Sequence, residues 1–536
     1  MSAFPVAAAP TARKLRGGYY TPPEIAEFVA GWACKSGARV LEPSCGNGAI
    51  LRFVPEDAEA TGIEFFAAEA AAARKAAPAA DVVTADFFEW VSSSEAESWD
   101  AVVGNPPFIR FQHWTEPTRT RAFDLMRSVS MSPTKLTNAW VPFVVASTLM
   151  LRPGGRLAMV LPAELLQVTY ASELRAFLID NYKSLTVVAF RRLVFDGILQ
   201  EVVVLLGTKG RGPATVRVAE RDSSADLPSP TRLRRLPGAP ALLHESEKWT
   251  KYFLPPEEID VLRTLRNGSD ALGRLGTLAD VDVGVVTGRN QFFVLKPSRA
   301  AERRLESHVV PLVSKSAHVR GVRFKPSDLA KLTKDDTHCR LLAVQPSARV
   351  SEDDPLWDYL AEGEDADVHR GYKCSIRKDW WSVPSVWIPD AFMLRQIYDH
   401  PRIIANATRA TSTDTVHRVR MLNGTSAATL AAASINSATF AFSEVMGRSY
   451  GGGVLELEPR EAEALPLPNP RGLDGGDVET VDRLLRDGAL EEALDYVDER
   501  LLMRDAGLDG DFVARLRSSW RRLRDRRLAR GKGATT

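Results

Sequence analysis

The sequence predicts a doubly wound, mostly parallel α/β sheet followed by a second, mixed α/β domain. Three observations carry this expectation. Apolar strand-like runs alternate with helix-like segments from about residue 15 to 208. Character changes over 209–250, where RGPATVRVAERDSSADLPSPTRLRRLPGAP is rich in Pro, Ser and Arg and has little periodicity. Beyond 250, short strand-like runs such as VDVGVVTG (281–288) and QFFVLK (291–296) are mixed with Trp357, Trp380, Trp381 and Trp387. At 536 residues the chain is too long for one ordinary domain.

The strand-like runs of the first domain are ARVLEP (38–43), EATGIEF (59–65), DVVTADF (81–87) and WDAVVGNPP (99–107). GRLAMVLP (155–162), SLTVVAF (184–190) and EVVVLLGT (201–208) follow. The run at 101–103 is continuous rather than alternating, as in a strand buried on both faces. PPEIAEFVAGWACKSG (22–37) and ASELRAFLIDNYK (171–183) read as helices between them. These signals place a first domain at 1–210, a linker at 211–250 and a second domain at 251–470. A strongly charged helical segment follows over 471–536, with PLPNP (466–470) marking the boundary.

Composition bounds the functional classes. A hydrophobic fraction of 45% and a charged fraction of 26% are ordinary for a globular protein. No stretch approaches the roughly 18–20 apolar residues of a membrane span. The start, MSAFPVAAAPTARKL, reads as a floppy leader rather than a signal peptide. The four cysteines, Cys34, Cys45, Cys339 and Cys374, are scattered without CxxC spacing. That argues against a disulfide framework or a metal site and fits a reducing cytoplasm. The net charge of +1 neither supports nor excludes nucleic acid as a partner.

Four motifs carry chemistry. Glu42-Pro43-Ser44-Cys45-Gly46-Asn47-Gly48 follows the first strand. Its glycines let backbone approach a ligand closely, although a plain tight turn explains them equally well. Glu64 ends the second strand, 22 residues after Glu42, where a carboxylate can accept both hydroxyls of a ribose. Ala85-Asp86-Phe87 ends the third, where Asp86 can accept from an adenine amino group and Phe87 can cover the ring. Taken alone, a helix N-cap with a core aromatic behind it explains that pair better. Asn105-Pro106-Pro107-Phe108 ends the fourth. Its prolines have no N–H for a sheet and hold a stiff turn, where parallel α/β sheets bind ligands.

The order of these four motifs resembles class I S-adenosylmethionine methyltransferases with a Rossmann-like sheet. Within them it resembles the gamma-class, TaqI-type adenine-N6 DNA methyltransferases of restriction-modification systems. Gly18-Tyr19-Tyr20-Thr21-Pro22-Pro23 matches the family's N-terminal segment. The resemblance covers 17–210 and continues more loosely over 280–470, through GYKCSIRKDWWSVP (371–384), STDTVHRVR (412–420) and GRSYGGGVLELEP (447–459).

The resemblance implies that Thr21, Glu42, Ser44, Cys45, Gly46, Gly48, Glu64, Asp86 and Phe87 hold S-adenosyl-L-methionine. Thr21 and Ser44 would sit near its methionine, Glu64 on the ribose, Asp86 and Phe87 on the adenine. Asn105, Pro106, Pro107 and Phe108 would be catalytic, with Asn105 and the Pro106 carbonyl facing the target amino group. Phe108, where the family often has Tyr, would stack on the flipped base. Phe195, in LVFDGIL, matches a second aromatic for that base, and a core phenylalanine is nearly as good a reading.

The residues beyond the first domain are best explained as a target-recognition domain enclosing duplex DNA. Lys373, Arg377, Lys378, Arg418 and Arg420 are the candidate contacts, although for any single one a solvated surface charge is the plainer reading. The tail RLRSSWRRLRDRRLARGK (515–532) fits a phosphate-binding helix or a solvated one equally well. The stretch 108–140 reads as an insertion able to close over the flipped base. A monomer with a separate restriction endonuclease as partner is expected. The Asn-Pro-Pro-aromatic turn also occurs in cytosine-N4 DNA, RNA-guanine and protein-glutamine methyltransferases, and these are the rival readings. A catalytically silent DNA-binding subunit would not need Asn105, Glu64 and Asp86 together.

Overall fold

The apolar runs of the first domain become strands in the computed structural model. They are β1 Arg39–Glu42, β2 Glu59–Glu64, β3 Asp81–Thr84, β4 Trp99–Gly104, β5 Leu151–Pro162, β6 Tyr182–Phe190, β7 Val202–Lys209, β8 Thr215–Arg221 and β9 Ala239–Pro240. The structure describes residues 20–532 except 192–193, 196–200, 230–231, 234, 237, 241–247, 269–271, 345–349 and 451. The chain divides into two units. One is built on residues up to Pro256, the other on Glu257–Tyr450 and Val454–Arg527.

The first unit is a single sheet in the order β3-β2-β1-β4-β5-β7-β6-β8-β9. β3, β2, β1, β4 and β5 pair in parallel. β7 runs antiparallel between β5 and β6. Strand order reverses at β1, so the carboxyl ends of β1 to β4 open on one crevice, the usual ligand site of such sheets. Ala101, Val102 and Val103 of β4 are fully buried. This is why their run is continuous rather than alternating. Helix Trp140–Met150 is apolar nearly all round, and ten of its eleven residues are buried. Pro142 is tolerated in its first turn, where an N–H would have no helical partner.

Residues 215–221 fall inside the stretch expected to be a linker, yet they form β8, parallel to β6. The arginines of TVRVAER disguised a strand. Arg217 donates to Ser184 Oγ on β6 at 3.0 Å, and Arg191 pairs with Glu220 at 3.3 Å. Charged side chains at the partly buried positions are therefore satisfied by β6 and the residue that follows it.

The second unit contains a five-stranded sheet ordered 279–282, 416–421, 391–394, 403–406, 323–324. It also has smaller sheets of two, three and four strands and a helical C-terminal part. The tail is not a simply solvated helix. Trp520 is fully buried against Phe440, with ring centroids 5.0 Å apart, and Arg527 pairs with Glu444 at 2.6 Å. A buried arginine is tolerable because its partner is buried with it and two further backbone carbonyls accept from it. Among the described residues, no helix is long and apolar enough to cross a membrane.

Candidate active site

The crevice is built from the strand ends. After β1 the chain turns through Gly46, φ +53°, and Gly48, φ +81°, conformations that favour glycine. A Cβ on Gly48 would also meet Ala73 Cα at 3.0 Å. Glu64, at the end of β2, clamps this turn. Its Oε2 accepts from the Gly46 amide at 2.9 Å and its Oε1 from the Phe66 amide at 2.8 Å. Burial raises the Glu64 pKa, and those two amides pull against the rise.

Asp86 caps helix Phe87–Ser92. Its Oδ1 accepts from the amides of Phe88 and Glu89 at 2.9 and 3.4 Å. Its Oδ2 accepts from Thr118 Oγ1 at 2.5 Å and lies 3.3 Å from Arg121 Nη1. Phe87 is buried and stacked on Phe143 at 5.2 Å and 13°. The N-cap and core-aromatic explanation is therefore physically real, and both residues nevertheless line the crevice. At the end of β4, Asn105 Nδ2 donates to Thr21 Oγ1 at 3.3 Å, and Ser44 Oγ donates to the Asn105 carbonyl at 3.4 Å. The turn after β4 is thus tied both to the N-terminal segment and to the turn after β1.

These ends enclose a cavity of about 450 Å³. Ser44, Gly46, Glu64, Asp86, Phe87, Asn105 and Pro107 line it. Tyr20, Glu69, His113, Trp114, Thr118 and Phe143 line it too, and sequence reasoning missed them. Tyr20 donates to Glu69 at about 3 Å from the cavity wall. Residues 113–118 belong to the stretch expected to close over the target base. His113, Trp114, Thr115 and Thr118 of that stretch share a cavity with Glu64 and Asp86, and Thr118 and Arg121 dock on the Asp86 carboxylate. No one-dimensional signal pairs Thr118 with a strand end 32 residues earlier.

Four expected cofactor residues, Thr21, Glu42, Cys45 and Gly48, do not line the cavity. Thr21 acts through Asn105. Cys45 is buried, and desolvation drives its thiol pKa up. Glu42 is 2% exposed, and its Oε2 has no hydrogen-bond partner among the described residues. Burial pushes its pKa well up, a hydrogen bond from the Leu51 backbone opposes this, and the Glu64 charge adds to the rise. A carboxyl with a folded pKa above its unfolded one stabilises the fold below the unfolded value. That contribution is lost as pH rises through the folded value. Glu42→Gln keeps the shape and removes the titration. Its melting temperature should gain on the wild type as pH is raised from about 5 to 8, followed by thermal denaturation.

Phe108 does not line the cavity. It is partly buried and packs against the apolar cluster containing Phe195, which is 7% exposed. Gly18, Tyr19, Leu193 and 196–199 of the LVFDGIL segment lie outside the described residues.

In the second unit, Lys373, Lys378 and Arg420 are exposed. Arg418 is not a surface residue. It is 2% exposed, donates to the carbonyls of Val283 and Ser385, and lies 3.4 Å from Asp282. Arg377 donates to the Val286 and Thr287 carbonyls at 2.9 and 2.8 Å. Both side chains hold the fold. Arg418→Ala orphans two carbonyls and should cost about 2 kcal/mol of stability. Chemical denaturation checks this, and a variant as stable as wild type would return Arg418 to the surface. Among the described residues, no group of three or more His, Cys, Asp or Glu could hold a metal ion.

Residues 59–195 match the Eco57I restriction-modification methylase family, and 246–502 match the C-terminal domain of the Type II methyltransferase M.Eco57I. The chain is 22% identical over 392 residues to the Type II methyltransferase M.AccI of Acinetobacter calcoaceticus, covering 70% of this chain and 71% of that one. It is 23% identical over 493 residues to the Type II methyltransferase M.XamI of Xanthomonas campestris pv. amaranthicola, covering 85% and 86%. The Type IIL restriction-modification enzyme MmeI, solved in complex with DNA, shares the fold with a TM-score of 0.59 and 11% identity. That likeness covers 91% of this chain and 73% of MmeI.

Proposed function

We propose that this chain, which belongs to the Type II restriction-modification methyltransferases, transfers a methyl group from S-adenosyl-L-methionine to N6 of an adenine flipped out of duplex DNA. The observation that carries the reading is that Asn105 and Pro107, from the turn after β4, line the same cavity as Glu64 and Asp86. The cavity suits the cofactor. Glu64 offers a carboxylate for the ribose, Gly46 brings backbone to the wall, and Asp86 with Phe87 offers an acceptor beside an aromatic face. The bound cofactor supplies an electrophilic methyl on a sulfonium.

The chain's own residues supply the rest. An adenine amino group is a poor nucleophile because its lone pair is delocalised into the ring. Thr21 accepts from Asn105 Nδ2, which orients the amide and gives Oδ1 the acceptor role toward the substrate. Together with the Pro106 carbonyl it takes both amino hydrogens and favours a pyramidal nitrogen. Positive charge grows on that nitrogen during transfer, and fixed dipoles stabilise it without reorganising. No strong base is needed beforehand, because the product ammonium is acidic. Phe108 and Phe195 would stack on the base, where stacking worth roughly 1–3 kcal/mol offsets part of the cost of flipping.

Lys373, Lys378 and Arg420 would contact the duplex from the second unit, and a separate endonuclease would cut unmodified sites. The enzyme would act as a cytoplasmic monomer. Incubation of the purified protein with cofactor and unmethylated genomic DNA, followed by nucleoside mass spectrometry, tests the reading. N6-methyladenine supports it. N4-methylcytosine alone would move the chain to the sister chemistry.

A further inference from the structure

Two turns of the second unit are locked together and expose an unusual surface. Residues 286–291, VTGRNQ, and 371–378, GYKCSIRK, meet through several contacts. Arg377 donates to the carbonyls of Val286 and Thr287. Cys374 is fully buried, with its thiol 3.9 Å from the Thr287 carbonyl oxygen. Gly288, φ +83°, lies so close that a Cβ there would meet Lys373 Cβ at 2.8 Å. The platform is therefore rigid by construction.

What it displays is apolar. Tyr372 is 74% exposed, Ile376 63% and Val286 38%. Large apolar side chains this exposed mark an interaction site when they cluster. Charge tells which kind. The two turns carry Arg289, Lys373, Arg377 and Lys378 and no acidic residue. Arg377 is committed to the scaffold, while Arg289, Lys373 and Lys378 are exposed. By contrast, the exposed Trp357 stands among Asp353, Asp354 and Asp358. A protein partner needs no such excess of one sign, whereas a phosphate backbone does.

We propose that these turns form a wedge for duplex DNA. Tyr372 and Ile376 press into a groove against the base steps, and Arg289, Lys373 and Lys378 hold the flanking phosphates. Apolar wedges that unstack a step in this way help to bend the duplex. The inference rests on the reading of the chain as a DNA methyltransferase and adds how the duplex is gripped.

The two chemistries separate by salt dependence. Tyr372→Ala with Ile376→Ala should weaken binding to a cognate duplex at least tenfold and leave the slope of log affinity against log salt unchanged. Lys373→Ala with Lys378→Ala should reduce that slope by about 1.8, roughly 0.9 per lost phosphate contact. Both pairs are exposed, so wild-type melting temperatures are expected. If the apolar pair does lower the melting temperature, Tyr372→Ser alone carries the same readout. An apolar variant that binds and methylates DNA like an active wild type overturns the wedge and leaves the enzyme reading intact. A protein-docking role would give that same result. A wild type that methylates no DNA overturns both.

Discussion

Asn105→Ala should bind S-adenosyl-L-methionine within a few-fold of wild type and transfer methyl groups at least a hundredfold more slowly. The substitution removes one of two acceptors aimed at the amino group, a group whose interaction strengthens as charge develops. Loss of a single preorganised dipole of this kind costs roughly 10²- to 10³-fold in rate, or about 3–4 kcal/mol. Cofactor binding should survive because Glu64, Asp86 and the Gly46 turn are held independently of the Asn105 side chain. Calorimetric titration with the cofactor and single-turnover transfer on duplex DNA separate the two effects. Near-normal turnover would remove Asn105 from the reaction. Thr21→Val should reproduce part of the loss, because the donor from Asn105 Nδ2 then has no acceptor at that position.

Glu64→Ala should weaken cofactor affinity by roughly 30- to 100-fold, with turnover at saturating cofactor less affected. Hydrogen bonds to a charged acceptor contribute about 1.5–3 kcal/mol, and each 1.4 kcal/mol is a factor of ten. The loss has two sources. The ribose hydroxyls lose their acceptor, and the Gly46 and Phe66 amides lose the carboxylate that fixes the turn. Glu64→Gln keeps an acceptor oxygen and should fall between. A titration in which the alanine variant binds as wild type would take Glu64 out of the cofactor site.

Much of the fold was legible because physics writes it locally. β1 to β7 correspond to apolar runs bounded by turn residues, as strands buried in the middle of a sheet do. β8 was hidden because Arg217 is hydrogen-bonded by Ser184 of β6 and Glu220 is paired with Arg191, partners distant in sequence. The site divides along the same line. Glu64, Asp86 and Asn105 stand at strand ends, where topology alone brings them together. Trp114, Thr118 and Phe143 reach the cavity through tertiary docking on Phe88, Asp86 and Phe87 respectively. Arg418 and Arg420 look alike in HRVR, yet one is buried under Ser385 and Val283 and the other faces solvent. A basic residue in one dimension does not disclose which of the two it is.

Amino methylation of adenine in duplex DNA falls, on this reading, to the turn after β4. Single-molecule sequencing of genomic DNA from cells expressing the chain, beside cells expressing Asn105→Ala, tests it most directly. N6-methyladenine is expected at one short recognition sequence in the first sample and at none in the second. Modified cytosine in place of adenine, or no modified base in either sample, would contradict it.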